Sequence, residues 1–173
     1  MNDPVFASAL NLATELRKNG LKIVFAESCT AGLVSATLAR IPGISDYHCG
    51  SAVVYRLDTK HQWIEVPEAL LLDPGPVSRE VAEAMATGVL QKTPEAQIAA
   101  AITGHLGPNA PAGMDGLVWM AIVTRGSTDK ATRSVVLSER IQGEMTLRES
   151  RQQEATEALL RFAAAEITLP PAR

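Results

Sequence analysis

Four small polar residues, Glu27-Ser28-Cys29-Thr30, follow an apolar run and precede a helical pattern. Ser28 and Cys29 are potential nucleophiles, because the positive end of a helix stabilises an anion or a developing oxyanion. Cys29 is the weaker candidate, since the adjacent Glu27 opposes a thiolate and small cysteines are often packed and inert. The alternative is structural, because serine and threonine are preferred at helix N-caps. These four residues alone leave both interpretations open.

A serine nucleophile requires a base that accepts its proton. Lys60 is a candidate if burial lowers its pKa by several units, whereas most lysines are solvated surface groups. Tyr55 ends a predicted strand and Lys60 lies in the first turn of the next helix, so both side chains could face one cleft. The tyrosine hydroxyl could then relay or orient the proton. No triad pattern is visible around the three histidines, His48, His61 and His105.

Apolar periodicity predicts the elements that position these side chains. Helices are expected over residues 5–18, 31–39, 59–64, 77–91 and 144–167. Strands are expected over residues 21–26, 50–55, 97–103, 117–124 and 132–137. Strands first alternate with helices and then come as neighbours. The sequence therefore predicts an α/β fold, a three-layer α/β/α sandwich with a mixed, mostly parallel sheet, as a single domain over residues 1–173.

Ligands of open α/β sheets bind outside the carboxyl ends of the strands. Three polar clusters fall at such ends: residues 27–30, residues 55–60 and the pair Thr103-Gly104. The last pair opens a Gly/Pro-rich segment, "TGHLGPNAPAGMDG", which is not a P-loop because no Gly-Lys-Ser/Thr follows and the next element is a strand. Thr103 and Gly104 are the part of this segment predicted to touch a ligand, and a plain turn-rich connection is the alternative.

Composition limits the classes of function. The chain has 46% hydrophobic and 20% charged residues, which is typical of a globular protein. A net charge of −3 argues against a nucleic-acid partner. No apolar run reaches the roughly 20 residues that span a bilayer, so no membrane partner is expected. The two cysteines and the lack of a basic leader predict a reduced, cytoplasmic protein. A homo-oligomer is also expected, because α/β enzymes of this size often form symmetric homo-oligomers.

Four segments, "AESCTAGLVSATLARIPG", "GSAVVYRLDTKHQWIEV", "ITGHLGP" and "GLVWMAI", together resemble the CinA C-terminal domain family. These are the nicotinamide-nucleotide amidohydrolases, also called nicotinamide mononucleotide deamidases. The resemblance implies a standalone domain that hydrolyses the carboxamide of this nucleotide to nicotinate mononucleotide and ammonia in pyridine nucleotide recycling. It implies Ser28 as the nucleophile, Lys60 as the general base and Tyr55 as support for the proton transfer, without a metal or an organic cofactor.

The substrate-binding residues expected on the same basis are Glu27, Cys29, Thr30, Thr103, Gly104 and Arg140. Arg140 belongs to a Ser-Glu-Arg stretch where the family commonly has Gly-Asp-Arg, and the family's second arginine has its nearest candidate at Arg151. The chain also has Ala31 in place of a family glycine, and its Gly/Pro loop is shorter and begins with His105-Leu106.

These departures leave two further hypotheses open. The chain could be a paralogue with an altered substrate or little turnover. It could instead be a nucleotide-binding module in which Ser28 merely caps a helix. An enzyme should lose turnover on Lys60→Ala, whereas a binding module should bind the nucleotide unchanged by that substitution.

Overall fold

The computed structural model of the protein describes residues 3–139 and 143–168. These residues form six α-helices and five strands, in the predicted order apart from one additional helix. The helices are α1 (Pro4–Asn19), α2 (Leu33–Leu38), α3 (Leu57–Ile64), α4 (Glu68–Leu72), α5 (Arg79–Lys92) and α6 (Leu147–Thr168). The strands are β1 (Ile23–Glu27), β2 (His48–Val53), β3 (Ile98–Gly104), β4 (Leu117–Thr124) and β5 (Lys130–Val136).

The five strands form one mixed sheet in the order β2-β1-β3-β4-β5. β1 pairs in parallel with β2 and with β3, and β4 pairs antiparallel with β3 and with β5. Four strands therefore run in one direction and β4 runs in the other, which confirms the predicted mixed sheet. The carboxyl ends of β2, β1 and β3 lie side by side at one edge, where the polar clusters of the sequence were expected.

Two apolar cores, one on each face of the sheet, complete the three layers. Ile23 and Phe25 of β1 point to the face covered by α1, α2 and α6. Val24 and Ala26 point to the opposite face, where α3, α4 and α5 pack. β1 is buried along its whole length, which explains why its sequence is apolar without alternation. Among the described residues, no helix is long and apolar enough to span a membrane.

The start of α2 differs from its prediction. The pattern placed a helix over residues 31–39, but the helix begins at Leu33. Ala31 and Gly32 adopt left-handed backbone conformations, with φ of 53° and 96°, and form the turn that leads into α2. The helix α4 and a 3₁₀ turn over Ile44–Asp46 were not predicted, because segments of five and three residues are too short to show a periodic pattern.

Candidate active site

An open cavity of about 490 Å³ lies at the carboxyl ends of β1 and β3. Three segments wall it: the turn after β1, residues 55–60 after β2, and the loop that follows β3. The first turn of α6 contributes Arg148. The structure thus brings together Ser28, Cys29, Tyr55 and Lys60 in one cavity, although they lie up to 32 positions apart in the chain.

The contact between Ser28 and Lys60 is the central feature of this cavity. Lys60 Nζ lies 2.8 Å from Ser28 Oγ, and it donates to the backbone carbonyls of Val54 and Tyr55 at 2.8 and 3.4 Å. A neutral amine has two N–H groups and one lone pair. Two carbonyls and one hydroxyl match this inventory, so neutral Lys60 can accept the proton of Ser28 while both of its own protons remain hydrogen-bonded.

Burial tunes Lys60 towards the neutral form. Its side chain is only 2% exposed, and its polar contacts are a hydroxyl and two carbonyls, all uncharged. Burial of the ammonium lowers the pKa of Lys60 from 10.5 to about 8. A substantial fraction of the side chain is then unprotonated near neutral pH, which a lysine general base requires.

Cys29 lies beside Ser28, but its thiol is a poor nucleophile. Burial raises the pKa of its thiol to about 12, so almost no thiolate forms near neutral pH. Because the thiolate is the nucleophilic form of cysteine, the local chemistry favours attack by Ser28. Cys29 contributes to the wall of the cavity.

Tyr55 is placed differently from what a proton relay would need. Its hydroxyl accepts a hydrogen bond from Arg148 Nη2 at 2.8 Å, at the exposed rim of the cavity. The group of Tyr55 that Lys60 reaches is the backbone carbonyl. Tyr55 therefore contacts the base through its main chain, while its side chain joins the rim to α6.

Glu27 and Thr30 lie behind the cavity wall and do not line it. Both are fully buried, and the Glu27 carboxylate accepts hydrogen bonds from Thr30 Oγ1 and from three backbone N–H groups at the start of α2. The N-terminus of α2 is thus capped by Glu27, while the hydroxyl of Ser28 faces Lys60. The three N–H groups that Glu27 occupies are closed to an oxyanion or a phosphate.

The two residues expected at the end of β3, Thr103 and Gly104, do line the cavity. Thr103 Oγ1 donates to the carbonyl of Pro76, which fixes the segment before α5 as part of the same wall. A Cβ at Gly104 would lie 2.3 Å from Cγ1 of Val118, so this glycine is required by close packing against β4. Arg140, expected at the substrate phosphate, lies outside the described residues.

Sequence reasoning missed Arg148 and gave no role to Asp115. Arg148 Nη1 donates to the carbonyl of Gly107 at 2.6 Å, so its guanidinium joins the Gly/Pro loop to Tyr55. Arg151, three residues later, is 2% exposed and makes a bidentate ion pair with Asp115 at 2.8 and 2.9 Å. The resemblance made Arg151 the nearest candidate for the family's second arginine. In the structure it donates to the Leu106 carbonyl and to Asp115, and so holds the loop that follows β3.

The next residue of α6, Gln152, donates from Nε2 to the carbonyl of Thr30 at 2.9 Å. Positions 148, 151 and 152 follow the i, i+3, i+4 spacing that places side chains on one face of a helix. That face of α6 therefore contacts the turn after β1, the rim at Tyr55 and the loop after β3. The spacing was the available signal for this arrangement, but only the fold shows what the face touches.

Metal-ion chemistry has no evident site in residues 3–139 and 143–168, where no group of three or more His, Cys, Asp and Glu side chains could hold a metal ion.

Similarity to known proteins is consistent with this architecture. A family model described as the CinA C-terminal domain matches residues 6–163. The nicotinamide-nucleotide amidohydrolase PncC of Pseudomonas putida is 37% identical over 121 residues, which cover 69% of this chain and 75% of that protein. A CinA-like protein of Desulfotalea psychrophila is 44% identical over 93 residues, which are 54% of this chain and 22% of that protein. The chain spans about a quarter of the length of the CinA-like relatives it matches.

Solved structures extend the similarity to nearly the whole chain. The competence/damage inducible protein CihA from Agrobacterium tumefaciens has a TM-score of 0.84 at 28% identity, over 95% of this chain and 96% of its own. A CinA superfamily protein from Klebsiella pneumoniae shares the fold with a TM-score of 0.84 at 24% identity, over 96% of this chain and 98% of its own.

Proposed function

Because the chain belongs to the CinA C-terminal domain family, we propose that it is a serine amidohydrolase that converts nicotinamide mononucleotide to nicotinate mononucleotide and ammonia. The observation that carries the proposal is the 2.8 Å contact between Ser28 Oγ and the Nζ atom of the buried Lys60. The name of the P. putida relative, a nicotinamide-nucleotide amidohydrolase, supports the choice of substrate.

In the proposed mechanism, neutral Lys60 takes the proton of the Ser28 hydroxyl as Oγ attacks the carboxamide carbon. The resulting ammonium returns this proton to the departing nitrogen, which leaves as ammonia, and an acyl ester remains on Ser28. Lys60 is then neutral again and removes a proton from a water molecule that attacks the ester. Collapse of this second intermediate expels Ser28 Oγ, which takes the proton from Lys60, and the carboxylic acid that is released loses its remaining proton to solvent.

The nucleotide phosphate requires cationic ligands at the cavity. Arg56 and Arg148 both line it, and neither guanidinium is in an ion pair with a carboxylate of the described residues. The hydrogen-bond partners of Arg148 are the Gly107 carbonyl and the Tyr55 hydroxyl, so its positive charge is unneutralised. Guanidinium geometry suits phosphate, and we assign the phosphate to these two arginines, with Arg140 as a further candidate.

The test is ammonia release from nicotinamide mononucleotide by the purified protein, with Ser28→Ala and Lys60→Ala run beside it. We expect release by the wild type and loss in both variants, and Cys49→Ala, at a cysteine of β2 that does not line the cavity, should keep the wild-type rate as the matched control. Calorimetric titration of the nucleotide distinguishes the alternative. If the wild type releases no ammonia, and if the wild type and Lys60→Ala bind the nucleotide equally well, the protein is a nucleotide-binding module and not an enzyme.

A further inference from the structure

Glu27 is 0% exposed, and its carboxyl oxygens accept five hydrogen bonds. Oε2 accepts from Thr30 Oγ1 and from the backbone N–H groups of Gly32 and Val34, at 2.8 to 3.1 Å. Oε1 accepts from the N–H of Ser35 at 3.0 Å and from Ser51 Oγ at 2.9 Å. All five donors are uncharged groups. The buried carboxyl group is therefore held by hydrogen bonds and not by an ion pair.

These bonds hold the turn that presents the nucleophile. Ser28 is the first residue of this turn, and its carbonyl accepts from the N–H of Ala31. Ala31 is in the left-handed region at φ 53°, a conformation that disfavours residues with a Cβ. Thr30 and Gly32, on either side of Ala31, are both bonded to Glu27 Oε2, so the carboxylate fixes the strained part of the turn from both sides.

Glu27 also links the nucleophile to β2 and to Val54, which contacts the base on α3. Ser51, the donor to Oε1, lies on β2. The Glu27 backbone carbonyl accepts from the N–H of Val54, whose own carbonyl accepts from Lys60 Nζ. One residue thus fixes the turn that holds Ser28 and the chain segment that holds Lys60. A serine or threonine N-cap would satisfy the helix alone and would not reach β2.

We propose that Glu27 is a positioning residue: its carboxylate ties the turn of Ser28 to β2 and so sets the 2.8 Å separation between Ser28 Oγ and Lys60 Nζ. This inference rests on the proposed function only in taking Ser28 as the nucleophile, and it holds for any substrate. Glu27 itself does not line the cavity, so it acts on the reaction through Ser28 and Lys60.

Glu27→Gln is the direct test because it preserves size. An amide has a single acceptor oxygen, so its NH₂ group must face donors that now bond to a carboxylate oxygen. The turn has to shift to relieve this, and a misplacement of about 1 Å at a reacting group costs on the order of 100-fold in rate. We expect kcat for nicotinamide mononucleotide to fall about 100-fold with KM changed less than about threefold.

A milder variant covers the case in which Glu27→Gln fails to fold. Ser51→Ala removes one of the five hydrogen bonds and leaves the charge in place. It should lower kcat about tenfold, again with little change in KM. The matched control is Asp3→Asn, which alters the carboxylate that caps α1 away from the cavity and should leave both parameters unchanged.

A second readout avoids the substrate. A small fluorophosphonate reacts with activated serines, and intact-protein mass spectrometry follows its rate at Ser28. Slower labelling in both variants supports the inference, even where nicotinamide mononucleotide proves not to be the substrate. Wild-type labelling and kcat in well-folded Glu27→Gln would overturn the inference and leave the proposed function standing. A wild-type protein that neither labels at Ser28 nor releases ammonia would overturn both.

Discussion

Raising the pH through 8 should increase the activity of the protein, because Lys60 must lose a proton before it can act as a base. Burial lowers the pKa of this lysine from 10.5 to about 8. The neutral fraction is then about one tenth at pH 7 and about one half at pH 8. We expect kcat/KM to fall about fivefold from pH 8 to pH 7, to approach a tenfold fall per pH unit below pH 7, and to level off above about pH 9.

The lowered pKa of Lys60 also makes the free energy of unfolding depend on pH. Between about 8 and 10.5 the unfolded chain keeps the Lys60 proton while the folded protein releases it. The unfolded state therefore binds more protons in this window, and the free energy of unfolding rises with pH. The lowering of the pKa from 10.5 to about 8 corresponds to about 3 kcal/mol. Below pH 8 burial of the ammonium destabilises the folded protein by this full amount, and the cost disappears as the pH rises to 10.5. Lys60→Met removes the titrating group and should remove this part of the pH dependence.

Two measurements decide the matter. The rate of ammonia release at subsaturating nucleotide, from pH 6 to 10, gives the apparent pKa of the essential base. Urea unfolding of the wild type and of Lys60→Met at pH 7.5 and 10 gives the difference in pH dependence, with all other groups in common. A rate profile flat from pH 6 to 8, or parallel pH dependences in the two proteins, would refute the assignment of Lys60 as a buried base.

Three other expectations are simpler. Cys29→Ser should retain ammonia release, and thiol-blocking reagents should not inactivate the wild type, since the raised pKa of the Cys29 thiol leaves almost no thiolate; inactivation of the variant would point to Cys29 as the nucleophile. Arg148→Met should raise KM for nicotinamide mononucleotide at least about tenfold and affect the dephosphorylated nucleoside much less, and an equal loss for both would contradict a phosphate contact. Gly104→Ala should lower the free energy of unfolding by about 1–3 kcal/mol in urea titrations, because its Cβ would overlap Val118; an unchanged midpoint would show that β4 yields easily.

The layers of the fold were predictable because hydrophobic patterning reports which faces are buried. The continuous apolar run before Glu27 is typical of a parallel strand covered on both faces, and β1 lies between β2 and β3 and is buried along its length. The start of α2 was not predictable from periodicity. Small residues continue the helical pattern back to Ala31, whereas the left-handed turn at Ala31 and Gly32 is stabilised by bonds to a side chain that precedes it.

Site residues were predictable where reactive types cluster in sequence, as at Ser28 and at Lys60. Their contact across 32 positions follows from the parallel pairing of β1 and β2, which sequence spacing does not report. Arg148 was not found because its partners, the Gly107 carbonyl and the Tyr55 hydroxyl, come from two other segments. A charged residue on an amphipathic helix has the same local pattern whether it faces water or a cavity.

The distribution of buried ionisable side chains supports Lys60 as the proposed base. Among the described residues, three charged side chains are buried: Glu27, Lys60 and Arg151. All three lie around one cavity, but Glu27 is surrounded by five donors and Arg151 is paired with Asp115. Lys60 has only uncharged acceptors, so no ion pair offsets the desolvation of its ammonium form. A fold that needed this position only for stability would gain from an apolar residue there. The retained lysine is therefore best explained by the use of its lone pair.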